Sequence, residues 1–225
     1  MMTFWDPLWL TFKLAFITTL ILLVIAIPLA WWLATTRWKL SPIVEALVTM
    51  PLVLPPTVLG FYLLVTFSPN STLGAFLLDW FDLRLVFSFP GLVLASVIYS
   101  LPFMVQPLHA GFKRVPRSYK EASYMLGKSR FRTLFNVLLP NMKSSMLTGL
   151  VLCFAHTVGE FGVVLMIGGN IPGKTRVASI AVYDLVERMN YEAAGTLSLI
   201  LVMVTFSILL LLYFFNRGAF KSNRS

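Results

Sequence analysis

Long apolar intervals separated by short polar ones dominate this chain of 225 residues. The uncharged intervals are 14–36, 46–78, 85–112, 144–159 and 193–216. The fourth extends to residue 173 across Glu160 alone. A helix that crosses a bilayer needs about 20 apolar residues. The pattern therefore predicts an all-α, polytopic membrane protein with about five transmembrane helices, in one domain that covers 1–225.

Composition and charge add a location and an orientation. Hydrophobic residues make up 58% of the chain and charged residues 12%, against roughly 25% charged residues in soluble domains. Lys and Arg accumulate on the cytoplasmic side of bacterial inner membranes. Thirteen of the 18 fall in the loops after the first and third intervals and in the C-terminal tail: Arg37, Lys39, Lys113, Arg114, Arg117, Lys120, Lys128, Arg130, Arg132, Lys143, Arg217, Lys221 and Arg224. We expect the N-terminus outside and the C-terminus in the cytoplasm, so the net charge of +9 needs no nucleic acid to explain it.

The sequence GGNIPGKT, 168–175, has the spacing of a phosphate-binding P-loop, and the apolar run GVVLMI precedes it as a strand would. The predicted topology places this motif on the outer side, where no nucleotide pool exists. Pro172 also removes one of the backbone N–H groups that a phosphate needs. We therefore interpret the motif as a tight turn at the membrane exit, and we expect this chain to bind no nucleotide, cofactor or metal.

The segment that follows the turn has apolar residues near helical spacing, at Val177, Ile180, Ala181, Leu185 and Met189. The sequence therefore predicts an outer-side loop and surface helix over 169–192. Two interpretations stay open, namely a plain connecting helix and a docking site for a soluble partner.

The longest polar interval, 113–143, contains eight Lys or Arg and one acid. Ser118 and Glu121 are spaced as a capping box that starts a short helix, and Gly127 suits a left-handed stop. Ser129 suits the cap of a second helix that ends at Pro140. Its apolar stripe is Phe131, Leu134, Phe135 and Leu138. The pattern predicts a cytoplasmic helix-turn-helix whose apolar surface needs a partner.

This loop resembles the EAA loop of ATP-binding-cassette (ABC) importer permeases, E-A-A-x(3)-G-x(9)-I-x-L-P. The matching positions are Glu121, Ala122, Ser123, Gly127, Val137, Leu139 and Pro140, with Ser in place of the second Ala and Val in place of Ile. Three further stretches are similar to molybdate permeases: MPLVLPPTVLGFYLL at 50–64, SLPF at 100–103 and AHTVGEFGVVLMIGGNIPGKTRVASIAVYDLVE at 155–187. Sulfate permeases share the EAA loop and a similar GE-aromatic-G stretch.

The resemblance implies a type I ABC importer permease fold and a transport subunit that is not itself an enzyme. It implies three kinds of partner: a cytoplasmic ABC ATPase that holds ATP and Mg²⁺ and receives the EAA loop, an extracytoplasmic oxyanion-binding protein, and a second permease copy. A homodimer within membrane lipid is expected, since five helices enclose a path poorly. Molybdate is the expected cargo, with tungstate or sulfate as alternatives.

The translocation path is expected to offer polar groups beside prolines and glycines, because interrupted helices expose backbone groups. The candidates are Thr57, Ser100, Gln106 and Thr157. No predicted span contains Lys or Arg, which suits a cargo that must be released. Plain proline kinks are the alternative at each site. Glu160 repels an anion, so we expect it to cap backbone N–H groups or to pair with a Lys or Arg.

Two other classes of protein fit less well. An integral-membrane enzyme needs a nucleophile beside a base, or a cluster of acids and histidines. A secondary transporter is expected to show internal repeats and membrane acids for a coupling ion. Cys153 is the single cysteine, and His109 and His156 lie in different intervals. We therefore expect both histidines to be buried and hydrogen bonded rather than to bind metal.

Overall fold

The protein is helical throughout the part described by its computed structural model. That part comprises the backbone of residues 5–221 and all of its side chains except those of 211, 212 and 215–221. Arg224, one of the basic residues used for the orientation, lies outside it. The helices are α1 Trp5–Thr35, α2 Ser41–Val53, α3 Pro56–Phe67, α4 Thr72–Phe81, α5 Phe89–Arg114, α6 Arg117–Met125, α7 Arg130–Thr133, a π-helix Leu134–Leu138, α8 Leu139–Asn141, α9 Lys143–Val158, α10 Gly162–Gly168, α11 Ala178–Glu187 and α12 Tyr191–Lys221.

Three of these helices, α1, α5 and α12, are long and apolar enough to cross a membrane alone. Two bent pairs raise the number to five if each pair is one span. Helices α2 and α3 meet at an angle of 111°, and the segment Arg130–Asn141 meets α9 at 80°. The first bend lies at Pro55 and Pro56, where the residue before a proline is forced out of helical geometry. The prediction of an all-α polytopic membrane protein is confirmed, with three to five candidate spans in the described part of the chain.

Two predicted intervals are divided in ways that the hydrophobic pattern does not indicate. The interval 46–78 contains parts of α2 and α4 and all of α3, with a turn at Ser68–Ser71. Helix α4 begins at the cap Ser71, whose hydroxyl accepts the N–H of Gly74 at 2.9 Å. The fourth interval is interrupted between Val158 and Gly162, so α9 and α10 are separate helices.

Helix α5 is the centre of the bundle, because α1, α2, α3, α9 and α10 all pack against it. One apolar core lies between the C-terminal half of α1, α5 and the loop helices, and includes Ala26, Ala30 and Leu108. Leu134, Leu138 and Leu139 of the loop belong to the same core. The polar loop 113–143 is therefore not a free appendage, since part of it is packed into the membrane bundle.

The predicted helix after the GGNIPGKT turn exists as α11, Ala178–Glu187. It is more deeply packed than a surface helix, because Ala178 and Ile180 are fully buried and the helix contacts both α1 and α12. The backbone N–H of Ala178 donates to the hydroxyl of Thr11 on α1, at 2.8 Å.

Candidate coupling loop and translocation site

The first short helix of the loop ends as its glycine predicts. Gly127 has a φ of 71°. The N–H of Lys128 donates to the carbonyl of Ser123 at 3.1 Å, and the N–H of Gly127 donates to the carbonyl of Tyr124 at 2.9 Å. This pair of bonds is the Schellman motif, which satisfies the last carbonyls of a helix. No atom lies within 4 Å of the position that a Cβ of residue 127 would occupy, so the glycine is required for its backbone angle and not for space.

The predicted capping box at Ser118 and Glu121 is wrong. Helix α6 begins at Arg117, and the residue before it, Pro116, provides no side-chain cap. Pro116 occupies the N-cap position with a ψ of 137°, so Ser118 lies inside the first turn, where it cannot act as the cap. The predicted cap at Ser129 is confirmed, since its hydroxyl accepts the N–H of Arg132 at 3.3 Å.

The second helix is less regular than its apolar spacing predicts. Residues Leu134–Leu138 form a π-helix, and the N–H of Leu139 donates to the carbonyl of Leu134. Each such turn contains an extra residue. The predicted stripe is also divided by burial: Leu134 and Leu138 are buried, whereas Phe131 and Phe135 are exposed. The helix continues through Pro140 and ends at Asn141, so the proline does not stop it.

A buried hydrogen bond joins the two helices of the loop. The hydroxyls of Ser123 and Thr133 are 2.9 Å apart, and both residues are buried. Ser123 is the position at which this sequence departs from E-A-A, and Thr133 provides the matching hydroxyl. Sequence reasoning missed Thr133, because no sequence pattern indicates that this residue, ten positions after Ser123, packs against it.

Large apolar side chains are exposed on the surface of the loop that faces away from the helix bundle. Met125 is 89% exposed, Leu126 77% and Phe131 69%. The rings of Phe131 and Phe135 lie 4.6 Å apart. Exposed side chains of this size, surrounded by basic residues, are typical of a protein docking surface. Of the remaining signature positions, Glu121, Ala122 and Pro140 are also exposed, Val137 is half-buried and Leu139 is buried.

A cleft of about 480 Å³ lies where two interrupted helices meet. We name it the broken-helix cleft. Its walls come from the start of α3, from α5, and from the break between α9 and α10: Pro56, Thr57, Tyr99, Ala155, His156, Gly159, Glu160, Phe161 and Gly162. A Cβ on Gly162 would lie 2.8 Å from Cβ of Pro56. The glycine therefore permits the close contact of α3 with α10 beside the cleft.

Hydrogen bonds behind the cleft join two of the four predicted path residues, Ser100 and Thr157, to each other and to its wall. The hydroxyl of Ser100 lies 3.0 Å from Nδ1 of His156 and 3.0 Å from the hydroxyl of Thr157. The hydroxyl of Thr157 donates to the carbonyl of Cys153. Only Thr57 lines the cleft directly. Gln106 is exposed on α5 and is not part of the cleft wall, so the structure does not group it with the others.

His156 and Tyr99 are cleft residues that sequence reasoning did not select as path candidates. The imidazole stacks on Phe103 with centroids 3.9 Å apart and lies 4.7 Å from the ring of Tyr99. The expected hydrogen-bonded role of His156 is confirmed. Glu160 follows His156 by four residues in the sequence, but it lies in the break after α9 and not on the same helix face.

Glu160 does not have the partners expected for it. Its Oε2 accepts the hydroxyl of Ser96 at 2.7 Å, and Oε1 has no partner within the described residues. Its backbone carbonyl accepts the hydroxyl of Ser179 at 2.6 Å. The expected pairing with Lys or Arg is therefore wrong. The carboxyl lies at the helix break, where it connects α5 to the broken helix, and the break itself is bonded to α11.

The GGNIPGKT segment is a closed turn. The apolar run before it is helix α10 and not the strand that a P-loop requires. The hydroxyl of Thr175, a fully buried residue, donates to the carbonyl of Gly168 at 2.6 Å and accepts the N–H of Ile171 at 3.2 Å. It is therefore not available to a metal ion. Gly169 and Gly173 have φ values of 64° and 72°.

The fold is that of ABC importer membrane subunits. Two solved structures resemble it over most of the chain. A bacterial ABC transporter that imports alginate has a TM-score of 0.79 at 16% identity, covering 95% of this chain and 78% of that one. The MetNI methionine ABC transporter has a TM-score of 0.71 at 18% identity, covering 94% of each chain.

Residues 23–218 match the family described as binding-protein-dependent transport system inner membrane component, and the chain belongs to that family. It is 49% identical over 205 residues to the molybdenum transport system permease protein ModB of Azotobacter vinelandii, covering 91% of this chain and 90% of the relative. It is 32% identical over 208 residues to ModB of Escherichia coli K12, covering 92% and 90%. A probable sulfate transport permease, cysT of Zygnema circumcarinatum, is 31% identical over 205 residues, covering 89% and 71%.

Proposed function

We propose that this chain is the permease of an ABC importer for molybdate. The observation that carries the cargo is the 49% identity to a molybdenum permease, against 31% to a sulfate permease, each over about nine-tenths of the chain. The broken-helix cleft provides the path, and among the described residues of its wall Thr57 is the one exposed hydroxyl and there is no lysine or arginine. Such a wall suits an ion that has to leave, because strong binding opposes release.

The loop 113–143 is the coupling element in this proposal. An ABC ATPase in the cytoplasm would cover Met125, Leu126 and Phe131, and it would hold the ATP and Mg²⁺. Displacement of the loop would be transmitted inward, since its buried leucines share a core with α1 and α5. The signature residues Glu121, Ala122, Gly127, Val137 and Pro140 lie around this surface, and Ser123 and Leu139 anchor it from within.

A homodimer in the inner membrane is the proposed assembly. The cleft opens at the surface of the single chain, because Thr57 and Gly159 are both exposed. A second copy related by a two-fold axis would close it. Only 11% of the most apolar stretch of α12 is buried, against 50% for α5, which leaves α12 for lipid. An extracytoplasmic binding protein would deliver the cargo.

The cargo is tested with the assembled complex in proteoliposomes. Binding protein loaded with molybdate, tungstate or sulfate is added in turn, and ATP hydrolysis and anion uptake are measured. We expect molybdate to give the largest stimulation. Stimulation by sulfate but not by molybdate would replace the cargo and keep the architecture.

The orientation is tested with impermeant thiol reagents. Cys153 is fully buried and provides a silent background. A cysteine at Ser129 is expected to react only from the cytoplasmic side and one at the exposed Lys174 only from outside. The opposite pattern would refute the proposed orientation.

A further inference from the structure

A second cleft, of about 440 Å³, lies between the C-terminal end of α1 and the coupling loop. We name it the α1–loop cleft. Helix α1 contributes Pro28, Trp32 and Thr35, which are all exposed, and the half-buried Trp31. The exposed three recur at helical spacing on the side of α1 that faces away from its buried residues. This cleft is thus separate from the path and opens on the outside of the bundle.

The coupling loop contributes two cations to the same cleft. Lys120 of α6 and Arg130 at the start of α7 both line it, and its described lining contains no acid. Nζ of Lys120 lies 5.9 Å from the ring centroid of Tyr124, a third loop residue in the wall. The indole Nε1–H of Trp31 is buried and makes no hydrogen bond within the described part of the chain. The cleft therefore combines apolar walls with positive charge and attracts an amphipathic anion.

From this charge and position we infer that the α1–loop cleft binds the headgroup of an anionic phospholipid. Basic pockets at the cytoplasmic ends of membrane helices attract acidic headgroups, and tryptophans concentrate at that depth of a bilayer. A phosphodiester oxygen meets Lys120 and Arg130, while acyl chains follow the exposed face of α1 past Pro28. The inference rests on the proposed orientation, which places the cleft in the cytoplasmic leaflet.

A bound headgroup has a consequence for coupling. It connects α1, a membrane helix, with both short helices of the loop that the ATPase is proposed to contact. Anionic lipid thereby holds α6 and α7 against the end of α1. We expect cargo-stimulated ATP hydrolysis to be higher in membranes that contain such lipid.

The test measures lipid bound to the assembled complex by native mass spectrometry during titration with phosphatidylglycerol or phosphatidylcholine. We expect a preference for phosphatidylglycerol that the double variant Lys120→Gln, Arg130→Gln lowers about thirtyfold, at roughly tenfold per 1.4 kcal/mol and about 1 kcal/mol for each cation. The matched control is Arg117→Gln, Arg132→Gln, which removes two charges from the same loop outside the cleft and is expected to retain the preference. If the double variant does not assemble, Arg130→Gln alone is expected to lose about fivefold.

Three outcomes would overturn the inference. Equal binding of the two lipids by the wild type removes the charge selectivity. Equal losses in the cleft variant and its control show general attraction to the basic loop and no site. Displacement of the lipid by millimolar phosphate or molybdate, with the soluble ion retained, shows a site for a free oxyanion. The readout is lipid binding, so it can fail while molybdate uptake and the labelled orientation both stand.

Discussion

The left-handed residue of the proposed coupling loop gives the sharpest test of the proposed connection between ATP hydrolysis and the membrane helices. Gly127 has a φ of 71° and open space around its Cβ position. An alanine there destabilises the left-handed conformation by about 1–2 kcal/mol. A valine destabilises it more, because β-branched residues are outliers at positive φ. Asparagine tolerates this region.

These costs predict a ranking that depends on backbone geometry and not on side-chain size. We expect Gly127→Asn to keep most of the cargo uptake. Gly127→Ala is expected to lower about tenfold the ratio of loops in the native conformation to loops outside it, since each 1.4 kcal/mol is a factor of ten. Gly127→Val is expected to lose cargo uptake almost entirely. The lost conformation would break the bond from Lys128 to Ser123 and so change the angle between α6 and α7.

The assay is cargo-stimulated ATP hydrolysis together with uptake by the complex in proteoliposomes. The amount of permease inserted in the membrane is measured in parallel, and we expect it to be unchanged, because the loop turn lies outside the membrane helices. Wild-type uptake in Gly127→Val would refute the reasoning. An asparagine variant as inactive as the valine variant would also contradict it, since it would show that any side chain is excluded.

Three further predictions concern the inner contacts of the loop, the outer turn and the path. Ser123→Ala and Thr133→Val are each expected to destabilise the complex by about 1–3 kcal/mol, and the double variant by less than the sum, because it leaves no buried hydroxyl unpaired. A double-mutant cycle from urea titrations of ATPase release measures these free energies, and strict additivity would contradict the hydrogen bond. Lys174→Ala is expected to leave basal ATP hydrolysis unchanged, whereas Thr175→Val is expected to lower the stability by about 1–3 kcal/mol, because it removes buried hydrogen bonds. If the purified chain bound ATP and Lys174→Ala abolished that binding, the P-loop interpretation would be restored. Thr57→Val is expected to slow uptake without changing the anion affinity of the binding protein. Thr66→Val, at an exposed threonine of the same helix, is the control, and equal uptake rates in the two variants would remove Thr57 from the path.

The hydrophobic pattern by itself determined the class of protein, because bilayer thickness fixes the length of apolar intervals and these intervals need no knowledge of contacts. Local chemistry determined the stop at Gly127 and the cap at Ser129, since both depend on residues within one turn. The capping box failed because Pro116 starts the helix before Ser118 can cap it. At 168–175 the proline argues from sequence against a P-loop, and the structure adds that helix α10, and not a strand, precedes the turn.

Tertiary structure alone decided which polar groups meet. The pairing of Ser123 with Thr133, the bond of Ser96 to Glu160 and the contact of Ser100 with His156 depend on how the helices that carry them are oriented against one another. The π-helix at Leu134–Leu138 is likewise a tertiary feature, and its Leu134 and Leu138 are buried whereas Phe135 is exposed. Apolar spacing assumes a regular 3.6-residue turn, so it cannot show where packing adds a residue to a turn. The sequence indicated polar residues beside prolines, but it did not indicate the cleft that Thr57, Tyr99 and His156 form together, because that cleft depends on how three helices pack.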